Sequence, residues 1–273
     1  MDLDTALTVL RADPDAPLDV AEVALGLARD EYPDLDVAGY LSELDALAHD
    51  VKPRLRGGLE SRLEVLCRYL FHDLGFHGNA ENYYDPRNSY LNDVMDRRLG
   101  LPIALSALAM AVGSRAGMEI AGVGLPGHFV ARAAAGKRAV LFDPFNGGRV
   151  LTRANCERLV EQVTGEPFTA TPGALQPMPL GLMVARMLNN LKAVYLGSSD
   201  FRRAVRVMER LRQLNPDDLL QRRDLGAALI RAGQPGKAID HLRAYLEAVP
   251  FADDDQTVQG LLTQARTAVA GWN

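Results

Sequence analysis

The chain has 273 residues, of which 48% are hydrophobic and 24% are charged, and its formal net charge is −5. These values are ordinary for a globular protein, and the length allows one large domain or two small ones, each with its own core. The negative charge provides no overall basic field for nucleic acid or for an anionic membrane, so we expect neither as a partner.

The lack of a recognisable secretory signal and the small number of cysteines favour a cytoplasmic protein. The first residues are acidic and lack the apolar segment of a secretory signal, and no run of about 18 apolar residues is present to span a membrane. Cys67 and Cys156 are the only cysteines, which excludes a disulfide framework. A reducing compartment is therefore the expectation.

The first 75 residues predict several helices, because apolar residues recur every three or four positions. Leu18, Val23 and Leu27 mark one such stripe, and Leu63 with Cys67 marks a later one. Since Cys67 lies within an apolar stripe, we interpret it as a buried thiol and not as a nucleophile.

The helical pattern stops between His77 and Asp93, where Gly, Asn, Asp and Pro are frequent. This composition predicts a long ordered loop, and long loops without secondary structure of their own are frequently functional. The alternative is a structural loop in which Asn and Asp side chains bond to the loop's own backbone. The candidate binding residues are His77, Asn79, Asn82, Tyr83, Tyr84, Asp85, Asn88 and Ser89.

A buried central helix is predicted over 102–116, since Pro102 suits the first helical position and the following residues are apolar on nearly all sides. Beyond Gly117 the apolar period changes to two residues. The pattern there predicts an antiparallel sheet packed on this helix, with a further helix at about 152–164. The predicted strands cover 118–125, 128–134 and 138–145.

The C-terminal part contains an internal repeat after a proline-rich linker that ends near residue 180. Pro216 and Pro250 are 34 residues apart, which is the period of the tetratricopeptide repeat. Two helical hairpins and a terminal helix are therefore predicted over 183–271.

Two residues with catalytic potential follow the central helix. His128 begins the second strand and Asp143 lies near the end of the third, so antiparallel neighbours would bring the two side chains together across one face. A helix, a strand histidine and a strand aspartate follow one another in this order in papain- and transglutaminase-like triads. In those triads a cysteine thiol stands at the helix start, whereas this helix begins Pro102-Ile103. The alternative is a structural histidine bonded to Asp143.

Other nucleophiles and ligand sites have weak sequence support. Ser106 is the nearest hydroxyl, but it lies one turn into a buried helix, where a nucleophile is poorly placed. Cys156 follows the sheet and is outside the triad order. His72 and His77 are a weak metal pattern, and Gly147-Gly148 is a turn without the context of a phosphate loop. We predict no metal and no cofactor.

Long motifs are spread over residues 60–250. They include His77-Gly78-Asn79, Asn82-Tyr83-Tyr84-Asp85-Pro86, Gly100-Leu101-Pro102-Ile103, Gly127-His128-Phe129 and Asp143-Pro144-Phe145-Asn146-Gly147-Gly148. These motifs resemble the SirB-type family, bacterial proteins that join a transglutaminase-like domain to tetratricopeptide repeats. The resemblance implies a cysteine-protease-like α+β core with His128 and Asp143 in the places of the transglutaminase histidine and aspartate. The nucleophile's place falls near Pro102 or Ile103, and the family label suggests a regulatory role.

The resulting fold prediction is α+β. A helical N-terminal region and a cysteine-protease/transglutaminase-like core with a small antiparallel sheet occupy residues 1–170. An all-α tetratricopeptide-repeat region occupies residues 180–273.

The functional prediction is a non-catalytic transglutaminase-like and repeat protein that binds a protein or peptide, as a regulatory module. Loop 77–89 and His128 are expected to line a cleft, and the repeats offer a second surface. The alternative is a hydrolase or acyl-transferase that uses a non-standard nucleophile, with Ser106 as the substitute, together with His128 and Asp143. A third possibility is an assembly scaffold whose cleft has no ligand.

Overall fold

A computed structural model describes residues 1–271, which fall into two compact units. The first unit comprises residues 1–6 and 13–187, and the second comprises residues 7–12 and those from 188 onward. The division into domains at 170 and 180 remains a prediction. No helix within the described part of the chain is long and apolar enough to cross a membrane.

The helical N-terminal region has the expected apolar stripes. Asp19 and Asp36 cap two of its helices by accepting hydrogen bonds from the backbone amides of Ala21 and Gly39. The caps are needed because the first amides of a helix have no partner within the helix. The helices are α1 (Leu3–Ala12), α2 (Val20–Ala28), α3 (Val37–Val51) and α4 (Leu59–Cys67), and α4 continues as a π-helical segment over Arg68–Asp73.

The segment 77–93 holds more secondary structure than the predicted loop. It contains a short strand β1 (His77–Gly78), a 3-10 turn (Pro86–Asn88) and the start of helix α5 (Leu91–Arg97). β1 pairs in parallel with β2 (Leu99–Gly100). The ordered loop predicted over 77–89 therefore contains a short strand and a 3-10 turn, and α5 begins after it. Elements of two, three or seven residues are too short to give a periodic apolar signal.

Helix α6 (Pro102–Arg115) is the buried central helix. Pro102 occupies its first turn, and the residues of its first two turns are buried on all sides, including Ser106. α6 packs against α2, α3 and two strands of the sheet. A helix that is apolar all round requires this arrangement, because no face of it is suited to water.

Four antiparallel strands form the main sheet in the order β3-β4-β5-β6. The fourth strand was not predicted, because three residues give too little alternation. The strands are β3 (Glu119–Leu125), β4 (His128–Ala135), β5 (Arg138–Asp143) and β6 (Arg149–Leu151).

Helix α7 (Arg153–Thr164) follows β6 and is capped by a reciprocal pair, Thr152 and Asn155. Val123, Val130, Leu151, Cys156 and Val160 form a buried apolar cluster with neighbouring residues. This cluster joins one face of the sheet to α7, so Cys156 is a core residue.

The C-terminal region is all-helical, as predicted from the 34-residue spacing. The repeat-equivalent residues Ala204 and Ala238, and Met208 and Leu242, are all buried. Gly226 lets two helices approach closely, since a Cβ there would lie 2.6 Å from the Leu242 side chain. The helices are α8 (Leu180–Gly197), which begins in the first unit, α9 (Phe201–Leu214), α10 (Leu219–Arg231), α11 (Pro235–Ala248) and α12 (Asp255–Ala270).

Alanine substitutions at Gly147 and Gly148 can be compared to test how tightly the turn after β5 packs on the residues beneath it. Both have a left-handed backbone, with φ values of 71° and 76°. A Cβ at Gly148 would lie 2.7 Å from side-chain atoms of Cys67 and Phe71, whereas nothing lies within 4 Å of one at Gly147. We expect Gly147→Ala to cost about 1 kcal/mol from backbone strain and Gly148→Ala about 3 kcal/mol from strain plus overpacking. Urea unfolding measures both, and equal losses would contradict the packing argument.

Candidate functional site

His128 and Asp143 form a buried pair on one face of the main sheet. His128 is the first residue of β4 and Asp143 the last of β5, and the strand register places Asp143 on the same face, diagonally across from His128. Nε2 of His128 and Oδ2 of Asp143 lie 3.0 Å apart, and the two side chains are 6% and 1% exposed. The strand order alone therefore brings the two residues together.

Asp143 also organises the turn that follows it. Its Oδ1 accepts hydrogen bonds from the amides of Phe145 and Asn146, and its Oδ2 accepts one from the Asn146 side chain at 2.7 Å. Burial alone would raise the pKa of Asp143. The hydrogen bonds from His128 and Asn146 outweigh burial and hold the pKa below its ordinary value. Asp143 is thus an anion with most of its acceptor positions occupied.

The surroundings of His128 are aromatic and contain a buried arginine. The ring of Phe145 stands edge-on to the imidazole, with centroids 5.9 Å apart. Arg186 Nη2 donates to the backbone oxygens of His128 and Leu125, at 2.6 and 2.7 Å, and so holds the hairpin between β3 and β4. Burial lowers the pKa of Arg186. Arg186 was absent from the predicted site.

No nucleophile is bonded to His128 among residues 1–271, where Asp143 is the sole hydrogen-bond partner of the ring. Pro102 and Ile103, at the nucleophile's expected place, are buried at the start of α6. The Ser106 hydroxyl is fully buried and donates to the Pro102 carbonyl at 2.8 Å, a local bond back along its own helix. Ser106 is therefore not positioned as a substitute nucleophile.

Neither cysteine is suited to act as the nucleophile of acyl transfer. Burial raises the pKa of Cys67 to about 12 and also raises the pKa of Cys156, to which the Asp143 carboxylate contributes. Both thiols are free and buried. A thiol with a raised pKa is a poor nucleophile near neutral pH.

Asparagine side chains hold the loop 77–89 together. Asn79 Nδ2 donates to Asn88 Oδ1 at 3.0 Å, and Asn88 Nδ2 donates to the Asn82 carbonyl at 2.7 Å. Asn79 Oδ1 accepts from the Asn82 amide, and the Asn88 carbonyl accepts from the Leu101 amide at the start of α6. Asn79 and Asn88 are buried, and these amide hydrogen bonds hold the loop together from inside.

The remaining candidate residues of the loop differ in their surroundings. Asp85 pairs with Arg87 at 2.8 Å and with Arg97 at 3.2 Å. Ring nitrogen Nδ1 of His77 lies 2.9 Å from the Gly75 carbonyl, and His77 is exposed. Ser89 Oγ is buried without a hydrogen-bond partner in the described part of the chain.

A pocket of about 850 Å³ is formed by this loop. Tyr83, Tyr84 and His77 contribute to its lining, together with both arginines that bind Asp85. Tyr84 is 75% exposed and stands edge-on to Tyr83, and burial raises the pKa of Tyr83.

His128 does not line this pocket, although the loop and His128 were expected to share a cleft. Phe145 contacts both the imidazole and Tyr83, with ring centroids 6.1 Å apart in the second pair. Its ring also covers Gly78, where a Cβ would lie 2.5 Å from it. Among the described residues, no group of three or more His, Cys, Asp and Glu side chains is arranged to hold a metal ion.

Comparison with known proteins supports the two-part organisation. Residues 38–189 match the Transglutaminase-like superfamily, and residues 191–266 match the Tetratricopeptide repeat. A UPF0162 protein of Xylella fastidiosa (strain Temecula1) is 37% identical over 257 residues, which cover 91% of this chain and 90% of that protein. A UPF0162 protein of Vibrio cholerae is 26% identical over 236 residues, or 86% and 84% of the two chains.

A eukaryotic protein shares a shorter segment. F-box only protein 21 of Mus musculus is 33% identical over 113 residues, which cover 38% of this chain and 18% of that protein. No solved structure matches the chain significantly. The predicted combination of a transglutaminase-like part and tetratricopeptide repeats is confirmed, and the resemblance to the SirB-type family agrees with it.

The pairing of His128 with Asp143 predicts different effects for two substitutions. His128→Ala removes one of the hydrogen-bond donors to the buried carboxylate and opens a cavity, so we expect a loss of about 2–3 kcal/mol in unfolding free energy. His128→Gln can place an amide nitrogen near the former Nε2 and should lose only about 1 kcal/mol. Urea unfolding at neutral pH compares the two, and equal losses would show that the donor at 128 is not stabilising.

The lowered pKa of Asp143 predicts a specific acid dependence. A carboxylate whose pKa is lower in the folded state stabilises the protein above its unfolded pKa, about 3.9, and this contribution is lost as pH falls through the folded value. The stability difference between wild type and Asp143→Asn should therefore narrow between pH 5 and pH 3. Urea unfolding across this range tests it, and a constant or widening difference would contradict it.

Proposed function

The chain belongs to the transglutaminase-like superfamily and to the UPF0162 proteins, and we propose that its transglutaminase-like part is a non-catalytic module that binds a protein or peptide. The observation that carries the proposal is the hydrogen bonding of His128, whose ring has Asp143 as its one partner among residues 1–271. Acyl transfer needs a thiol or hydroxyl within hydrogen-bond reach of the base. The pair therefore stabilises the strand ends without activating a nucleophile.

The loop pocket is the proposed binding surface. Its volume of about 850 Å³ lies within the range of small-ligand and peptide-anchor sites, and the asparagine hydrogen bonds within the loop keep it in one conformation. Preorganisation lowers the entropic cost of binding. Exposed Tyr84 supplies a large, amphipathic side chain with few rotatable bonds, which is typical of residues that contribute most to binding.

The tetratricopeptide repeats are proposed as a second partner surface, and the whole protein as a regulator that acts through binding. Helical repeats form extended surfaces that suit elongated partners. Both cysteines are free thiols, which agrees with a cytoplasmic setting.

Peptide selection tests the loop surface. A displayed peptide library is selected against the full-length protein, and the affinity of selected peptides is measured by fluorescence polarisation. We expect Tyr84→Ala to weaken binding at least tenfold, because a central exposed aromatic side chain is lost. Leu182→Ala is the matched control, since Leu182 is an exposed apolar residue (54%) of the same unit outside the pocket, and it should leave affinity unchanged.

Labelling with nucleophile-directed probes tests the alternative, a hydrolase or acyl-transferase with a non-standard nucleophile. The protein is treated with serine-directed fluorophosphonate and thiol-directed iodoacetamide probes at neutral pH. We expect no stoichiometric labelling, because Ser106 is engaged and both cysteines are buried. Labelling that disappears in Ser106→Ala or Cys156→Ala, and that also requires His128, would overturn the non-catalytic proposal.

A further inference from the structure

A second, smaller cavity lies between strand β6 and helix α7, beside the turn that follows β5. Its volume is about 230 Å³, and it is bordered by Arg149 of β6 and by Arg158 and Gln162 of α7. Asp143 and Asn146 also reach its lining. It shares no lining residue with the pocket of loop 77–89, so the two cavities are separate.

The two arginines at this cavity lack partners. Neither the Arg149 nor the Arg158 side chain has a hydrogen bond or an ion pair with any residue of the described chain, and both residues are exposed. Arg149 lies opposite Asp143 in the strand register, but no ion pair within 4.0 Å forms between them. Two guanidinium groups without ion-pair partners beside one small cavity favour an anion there.

The acidic groups nearby do not supply that anion. Asp143 already accepts hydrogen bonds from His128, Asn146 and the Phe145 amide. On α7, Asn155, Arg158 and Gln162 share the face toward the cavity, because they are three, four and seven residues apart. Neither Glu157 nor Glu161 of that helix lines the cavity, and the Glu157 carboxylate accepts a hydrogen bond from the Ala170 amide.

We propose that this cavity binds one oxyanion, a carboxylate or a phosphate group, between Arg149 and Arg158. Planar guanidinium groups match the oxygens of both groups, and the Gln162 amide adds a neutral donor. A volume of 230 Å³ holds a single anionic group with its first carbons but not a whole peptide. The buried Asp143 carboxylate also lines the cavity and repels an anion, so the anion's oxygens are expected on the side of the exposed guanidinium groups.

Isothermal titration of the full-length protein at low ionic strength tests the proposal. The two probes are inorganic phosphate and N-acetylglutamate, which separate a phosphate source from a carboxylate source. We expect saturable binding of at least one probe, weakened about tenfold or more in Arg149→Gln and in Arg158→Gln, since each removes a charge-assisted donor. Arg153→Gln is the matched control, because Arg153 is an exposed arginine of the same helix outside the cavity.

The outcomes are distinct. Binding of phosphate or of N-acetylglutamate that depends on both arginines supports the site and names the class of anion. Absence of saturable binding by the wild-type protein, or equal loss in the Arg153→Gln control, overturns it. The site does not depend on the loop pocket, so Tyr84→Ala should bind the anion as wild type does. Failure of peptide binding at the loop would leave this result unaffected.

Discussion

A buried carboxylate needs hydrogen-bond donors for both of its oxygens, and Asp143 obtains them from three places. His128 donates from the start of β4, while Asn146 and the Phe145 amide donate from the turn after β5. One anion therefore fixes a strand end, the orientation of an imidazole and the path of a turn. That turn sends β6 back along β5 and places Arg149 opposite Asp143. The turn that Asp143 holds in place therefore positions both the His128–Asp143 pair and one side of the small cavity beside α7.

Elements with a long or repeated pattern were predictable from the sequence. α6 follows from an apolar run that starts at Pro102, and the repeats follow from the spacing of Pro216 and Pro250. Strands of two or three residues, such as β1 and β6, carry no measurable alternation. They form because neighbouring backbone groups need partners once the longer elements have packed.

The candidate site was predictable only in part, for the same physical reason. Strand order and register are local properties, and they bring His128 to Asp143. The position of the Phe145 ring and the clamp made by Arg186 depend on packing between segments far apart in the chain. Hydropathy patterns do not contain that information. The asparagine-rich composition of the loop does not indicate which amides are buried, and the structure places Asn88 inside the loop and Asn82 at the pocket.

The contact between Gly78 and Phe145 has a consequence for the packing around the imidazole. A strand only two residues long leaves room for an aromatic ring solely because its second residue has no side chain. Even one methyl group at position 78 would have to displace that ring, and the ring is the neighbour that His128 shares with Tyr83. The absence of a side chain at Gly78 therefore determines where the Phe145 ring lies against His128.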